Sequence, residues 1–380
     1  MCPNAAAPRV IVVGAGPAGL ATALRLERRF QESGEVVVLE RATVAASWRA
    51  RYAELRLNTT RSTSGLPGRR IPRSAGRWPS LDDYVDFLQS TAISLRTPPR
   101  TGVTALRVLR EPVRGWTVET DAGELVAPNV VIATGNDGSP RMPDWPDRAS
   151  YEGEVRHVAD LGRLADLAGR RVVVVGAGNS GIDIAGHLAR MNADVTIAMR
   201  TPPTILPREH LGIPLQALAV ATRRLPLRAR DMMASTTARM TTGDLERFGV
   251  PRSKVGVYTR FAATGVTVAI DSGFVQALRD GRARVVPAAV GWAPQGVQVA
   301  DGTLVEADVV ILATGFRCGL ETLVAHLGVL DARGRPHAPL PGPPASAPGL
   351  FFAGFRPAVE GTLRRHAADA RHIAARVISL

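Results

Sequence analysis

The 380-residue sequence predicts an α/β fold made of two copies of one plan, the second inserted in the first. Three observations carry this reading. Two apolar strands run straight into glycine-rich turns that open amphipathic helices, at "VIVVGAGPAGLATAL" (10–24) and "VVVVGAGNSGIDIAG" (172–186). Each is followed by alternating apolar residues, a tight turn and a fully apolar strand ending in Ala-Thr-Gly, at "WTVETDAGELVAPNVVIATG" (116–135) and "GVQVADGTLVEADVVILATG" (296–315), which predicts a β-meander in each copy. The intervals also agree, with 116 residues from Gly19 to Gly135 and 134 from Gly181 to Gly315, so a duplicated plan is the economical account.

The tail after Gly315 holds a short apolar strand, "GLFFAG" (349–354), and a helix-like stretch over 361–379. That is too little for a third unit and enough to complete the sheet of the first. The expected domains are therefore 1–150 with 316–380, and 151–315. Their boundaries fall in the Pro-rich stretch 139–153 and near the second Ala-Thr-Gly, where two connections form a hinge. A stretch of helical character at about 208–250 belongs to neither repeat and is read as an insertion in the second domain.

A net charge of +13 raises the question of nucleic acid. The charge is almost all arginine, spread along the chain with Lys254 as the single lysine, and its two clusters (60–77 and 222–230) lack the interleaved aromatics of a single-strand binder. A solvated face, or attraction of an anionic ligand, is expected instead, with no nucleic-acid partner. Cys2 and Cys318 are the only cysteines, which excludes a disulfide framework, and the absence of CxxC excludes the dithiol reductases that share a two-nucleotide plan. No G-x-S-x-G elbow or histidine pair at metal spacing is present, so no bound metal is expected. No apolar run approaches the roughly 18 residues of a membrane span. The expectation is a cytoplasmic protein without a membrane partner.

The glycines define what the two copies hold. In each Rossmann-like unit the first glycine (Gly14, Gly176) allows the tight turn and the second (Gly16, Gly178) lets backbone approach a pyrophosphate. The third (Gly19, Gly181) lets helix and strand pack closely. Pro17 and Ala18, like Asn179 and Ser180, then sit at a helix N-terminus where unpaired N–H groups favour an anion, and Thr134-Gly135 and Thr314-Gly315 close the two cradles. Glu40, with Arg41 beside it, lies 21 residues after Gly19, where a carboxylate accepts hydrogen bonds from ribose hydroxyls. Arg200, 19 residues after Gly181, is expected in the corresponding place, where a guanidinium, helped by the Thr201 hydroxyl, binds a 2′-phosphate. The plain alternative is an arginine that merely ends a strand. The pair of nucleotides suggests electron transfer, with NADPH as hydride donor and FAD as acceptor.

"GAGPAG" (14–19), "SWRARYAELRLNTTR" (47–61), "GAGNSGID" (176–183), "RTPPTILPRE" (200–209), "GDLERFGVPRSKVG" (243–256) and "ATGF" (313–316) stand in the order found in flavin-containing monooxygenases. The chain resembles that family over nearly its whole length, and its YUCCA-type and bacterial members more than the larger Baeyer-Villiger enzymes. The family's linking signature appears as "YEGEVRHVADL" (151–161), with Gly153 and His157 kept, Tyr151 in place of phenylalanine, Leu161 in place of an aromatic, and no Trp-Pro after it.

The resemblance implies that FAD reduced by NADPH reacts with O2 to give a C4a-(hydro)peroxyflavin, protected by retained NADP⁺ in a pocket that excludes water. It assigns Asn58 to the family's asparagine near the flavin, against the alternative of a turn asparagine. It assigns His157 to the signature histidine, as a catalytic group or a satisfied structural one. Trp48 and Arg49 line the flavin by the same analogy, although "ASW" (46–48) departs from the usual Gly-Gly-Thr-Trp, and Gly354, Gly361 and Leu363 close it at the tail helix.

The expected function is an NADPH- and O2-dependent flavin monooxygenase acting on a small organic substrate, by N- or S-oxygenation or by oxidative decarboxylation of an aryl 2-oxo acid. Baeyer-Villiger oxygenation of a ketone or aldehyde is an alternative, and a non-enzymatic NADPH-responsive flavoprotein sensor is an alternative of another class. A homodimer is an open expectation.

Overall fold

The computed structural model describes residues 8–377 apart from 112, 114, 338 and 339, so Cys2 and the last residues of the tail lie outside the described residues. Two five-stranded parallel sheets organise the chain. The first runs Leu350–Phe352, Asn129–Ile132, Val10–Val13, Val36–Glu40, Arg100–Thr101. The second runs Glu154–His157, Val309–Leu312, Arg171–Val175, Asp194–Ala198, Ala283–Val286. The order is the same in both, and the first strand of each is drawn from outside its repeat. The tail supplies it to the first sheet, and the linker between the units supplies it to the second.

Both central strands are covered on two faces, which is why they read as unbroken apolar runs, VIVV and RVVVV, rather than as alternation. One face of the first sheet packs on helices Pro17–Leu26, Leu81–Ile93 and Thr362–Arg376. Its other face packs on a three-stranded meander spanning 105–127. The second unit repeats this with helix Asn179–Arg190 on one face and the meander spanning 289–306 on the other. Even the irregularities match, since each meander shifts register within its first strand, at Ala105/Arg107 and at Ala289/Gly291.

The two connections between units are zipped together, Ser139–Pro140 pairing antiparallel with Phe316–Arg317. A second tie is a buried side chain. Tyr52, 2% exposed, belongs to the first unit's chain but packs in the core of the second, where its hydroxyl donates to Asp183 Oδ2. Burial first, and then the Asp183 carboxylate, raise the Tyr52 pKa well above its ordinary value, so the phenol keeps its proton.

The segment outside both repeats forms helices Leu215–Ala221, Leu227–Thr242 and Val257–Thr264, and so reaches beyond the stretch read from sequence. Arg230 pairs with Glu360 at 2.9 Å, anchoring it to the tail. It leaves Leu211, Ile213, Met232 and Met240 exposed.

The glycines divide into two physical kinds. A Cβ on Gly19 would lie 1.8 Å from the Gly14 carbonyl oxygen, and one on Gly181 would lie 1.9 Å from that of Gly176. A Cβ on Gly16 or Gly178 would meet nothing within 4 Å. Gly19→Ala or Gly181→Ala should therefore lower unfolding stability by about 3 kcal/mol or more, while Gly16→Ala stays within about 1 kcal/mol of the parent. Urea titration checks this, and equal losses at Gly16 and Gly19 would contradict it.

Candidate functional site

One cleft of about 970 Å³ lies between the units and reaches both glycine helices, with Gly16, Pro17 and Ala18 on its wall along with Gly178, Asn179 and Ser180. Gly16 and Gly178 are N-caps with extended backbone and no side-chain cap, so the first-turn N–H groups of both helices are left for a bound anion. Glu40 also lines the cleft, its carboxylate held by the Ala15 N–H at 2.9 Å and the Ala42 N–H at 3.1 Å. His366 contributes a buried ring whose Nδ1 has no partner among the described residues. Bare glycines, uncapped amides, a fixed carboxylate and an orphaned ring nitrogen in one roomy cleft fit a dinucleotide that carries a polar ring system.

Most residues read from sequence lie on this wall. They are Gly14, Gly16, Pro17, Ala18, Glu40, Arg41, Trp48, Asn58, Thr134, Gly135, Gly178, Asn179, Ser180, Gly315, Gly354 and Leu363. Trp48 is braced edge-on by Tyr84 at 4.7 Å between ring centroids. Gly19, Gly176 and Gly181 stand behind the wall as packing positions. Arg49 is exposed off the cleft, and Arg51 takes the wall position instead. Gly361 backs onto Gln216 and Thr59, and the Thr314 hydroxyl donates to the Arg141 carbonyl.

The register corrects the expected equivalence of Glu40 and Arg200. Gly14 N–H donates to Leu39 O at 2.7 Å, and Gly176 N–H donates to Ala198 O at 3.0 Å. Matching these bonds sets Glu40 against Met199, which is buried, and Arg200 against Arg41. The count from the glycine misleads because nine residues join helix to strand in the first unit and three in the second. Arg200 and Thr201 are exposed past the strand end, with no ion pair for Arg200 among the described residues.

Asn58 joins three parts of the chain. Arg208 Nη2, from the insertion, donates to Asn58 Oδ1 at 3.3 Å, and Asn58 Nδ2 donates to Asn179 Oδ1 at 3.4 Å. A guanidinium only donates, so Arg208 settles which end of the amide faces it and turns the NH2 group toward Asn179 and the cleft. Asn179 is itself fixed, accepting from the Ile270 N–H and donating to the Val268 carbonyl, both at 2.9 Å.

His157 ends the linker strand behind the cleft. Its Nε2 donates to the Gly315 carbonyl at 3.2 Å and its Nδ1 accepts from the Ala159 N–H at 3.1 Å, which sets the tautomer. The ring stands edge-on to Phe316 at 5.0 Å. Burial holds its pKa below the ordinary value against the pull of the Gly315 carbonyl, so the imidazole is neutral.

Arg51, Asn136 and His366 are among the wall residues that escaped the sequence reading. Arg51 pairs with Asp137 at 2.5 Å and lies over the Phe316 ring at 4.6 Å. Asn136, directly after the first Ala-Thr-Gly, donates to the Gly354 carbonyl at 3.0 Å, and that adjacency was the one available signal. His366 is a lone histidine on the buried face of the tail helix, with no motif around it.

A family model described as flavin-binding monooxygenase-like matches residues 116–323, more than half of the chain. The chain belongs to that family. A second model, pyridine nucleotide-disulphide oxidoreductase, matches residues 11–216, a likeness of nucleotide-binding plan in a chain that lacks the CxxC pair. The rice indole-3-pyruvate monooxygenase YUCCA1 is 33% identical over 92% of this chain and 86% of its own length. The Arabidopsis thaliana probable indole-3-pyruvate monooxygenase YUCCA4 is 30% identical over 93% and 87%. Among solved structures, a flavin-containing monooxygenase from Stenotrophomonas maltophilia superposes with TM-score 0.72 at 23% identity, over 96% of this chain and 98% of that one. Cyclohexanone monooxygenase bound to ε-caprolactone gives 0.73 at 19% identity, over 96% and 86%, a likeness of fold. The chain is thus a flavin-dependent oxidoreductase of the monooxygenase type with an α/β fold of two dinucleotide-binding units. Among the described residues no helix is long and apolar enough to cross a membrane.

Burial pushes the His366 pKa from 6.5 down to about 4. As pH falls through that window the unfolded chain takes up a proton that the native chain refuses, so stability is lost on acidification and is fully present above it. His366→Gln should reduce the stability difference between pH 7.5 and 4.5 by up to about 3 kcal/mol. Urea midpoints at the two pH values measure this; an identical pH dependence in the variant would rule the linkage out.

Proposed function

We propose that the chain catalyses NADPH- and O2-dependent oxidative decarboxylation of an aryl 2-oxo acid. In balance, the 2-oxo acid, O2, NADPH and a proton give the acid one carbon shorter, CO2, NADP⁺ and water. The observation that carries this is the near full-length likeness to proteins named indole-3-pyruvate monooxygenases. It is supported by one cleft that joins both glycine helices and carries on its wall Arg56, a cation with no carboxylate partner among the described residues. When bound, the flavin supplies the two-electron chemistry that activates O2.

The residues of this chain then have distinct tasks. Gly14, Gly16 and Glu40 hold the flavin nucleotide; Gly178, Ser180 and Arg200 hold NADPH, with the exposed Arg200 guanidinium taking the 2′-phosphate. Asn58, its amide set by Arg208, presents an N–H to the cleft. His157 holds Gly315 in place and so acts as a positioning residue. A cytoplasmic location completes the reading. So does a homodimer that covers Leu211, Ile213, Met232 and Met240, which a sedimentation measurement tests.

Anaerobic stopped-flow should show fast bleaching of the flavin by NADPH; no reduction would instead favour the sensor reading. A panel of aryl 2-oxo acids, amines, sulfides and ketones then separates decarboxylation from N-, S- and Baeyer-Villiger oxygenation, and turnover confined to the last three classes would overturn the substrate assignment. Arg200→Ala should cut the preference for NADPH over NADH by about tenfold to a hundredfold, and equal use of both by the parent protein would remove the 2′-phosphate role. Asn58→Ala should lower product per NADPH and raise hydrogen peroxide; unchanged coupling would leave Asn58 a loop residue.

A further inference from the structure

A second cavity of about 450 Å³ lies outside the cleft, between the loop that carries Thr60 to Arg77 and the insertion helix Leu215–Ala221. Its floor is apolar, from Pro214, Ala217 and Val220, and its rim carries Arg61 and Arg73. Arg77 on the same rim is committed to Glu209 at 2.9 Å and to the Gly212 carbonyl at 2.6 Å. Arg61 and Arg73 have no side-chain hydrogen bond or ion pair among the described residues, so their charge is open to a ligand.

Gln216, which lines this cavity, ties the insertion helix to the first unit beside the cleft. Gln216 Oε1 accepts from the Thr60 N–H at 3.3 Å and the Thr63 hydroxyl at 2.9 Å, while Nε2 donates to the Glu360 carbonyl at 2.7 Å. A Cβ on Gly361 would lie 2.5 Å from Gln216 Nε2 and 2.8 Å from the Thr59 methyl. Thr59 and Thr362, on either side of that contact, both line the cleft. Gly361 is bare because its φ of +103° disfavours a side chain and because the Gln216 amide and the Thr59 methyl occupy the space beside it.

Resting on the aryl 2-oxo acid reading, we infer that the outer cavity is an anteroom that binds an apolar or aromatic carboxylic acid before it enters the cleft, with Gln216 as the gate between them. Arg61 and Arg73 draw the carboxylate, and the apolar floor takes the ring. The gate is a neutral amide whose three bonds are all to the first unit while its backbone belongs to the insertion, so a movement of helix Leu215–Ala221 withdraws it and opens the wall. Gln216 also excludes water while it is shut.

The test is calorimetric titration of the flavin-loaded protein with 3-phenylpropionate, a carboxylate that is not a substrate, and with the neutral 3-phenylpropanol. In R61A/R73A the carboxylate should bind about fivefold to tenfold more weakly with a flatter salt dependence, while binding of the alcohol and anaerobic flavin reduction by NADPH stay unchanged. In Gln216→Ala, binding of 3-phenylpropionate should persist while hydrogen peroxide per NADPH rises. Equal carboxylate affinity in the parent and R61A/R73A overturns the anteroom, and unchanged peroxide in Gln216→Ala overturns the gate. If carboxylate binding follows Arg61 and Arg73 but aryl 2-oxo acids are not turned over, the anteroom stands and the proposed substrate falls.

Discussion

A tight approach of backbone to backbone recurs in both units. A helix passes so near the preceding turn that the third glycine of the motif has no room for a Cβ beside the carbonyl oxygen of the first. This contact determines where the helix begins, and so where its uncapped N–H groups point. The middle glycine, by contrast, is bare on the side that faces the cleft. Packing and ligand recognition are thus divided between neighbouring glycines, and the division is repeated in both copies.

Two such helix ends serve a reaction between their ligands only if the units are held face to face. Tyr52 does part of this by lending a first-unit side chain to the second unit's core, where burial and then Asp183 keep its phenol protonated. Arg51 pairs with Asp137 and covers Phe316, which packs against the second unit's core. Asn58, Arg208 and Asn179 then carry the alignment into the cleft itself. The residues that orient the site are therefore also those that hold the two units in register.

What the chain discloses before folding follows from what phosphate binding demands. Glycine spacing, apolar strands and the repeated Ala-Thr-Gly are local, so both units and most of the wall were readable. Arg200 shows the limit of counting, because a nine-residue connection in one copy and a three-residue one in the other shift the register beyond the helix. Arg51 and Gln216 were invisible for another reason, since each matters through a partner far away in the chain, as Gln216 does at Glu360, while His366 matters through burial that no motif around it announces. The two bonds of the His157 ring, one to the local Ala159 and one to the distant Gly315, likewise needed the fold to appear.

The outside strand of each sheet has a consequence for the order in which the protein is made. The inserted unit takes its extra strand, Glu154–His157, from chain already synthesised, and its sheet is complete once Leu312 has emerged. The first unit, although begun earlier, waits for Leu350–Phe352 and the helix Thr362–Arg376. On a ribosome the later copy closes first, and the half-built earlier copy exposes the apolar edge of Asn129–Ile132 until the end of translation. A truncation that removes only the tail would strip the older unit of its edge strand while leaving the younger sheet intact.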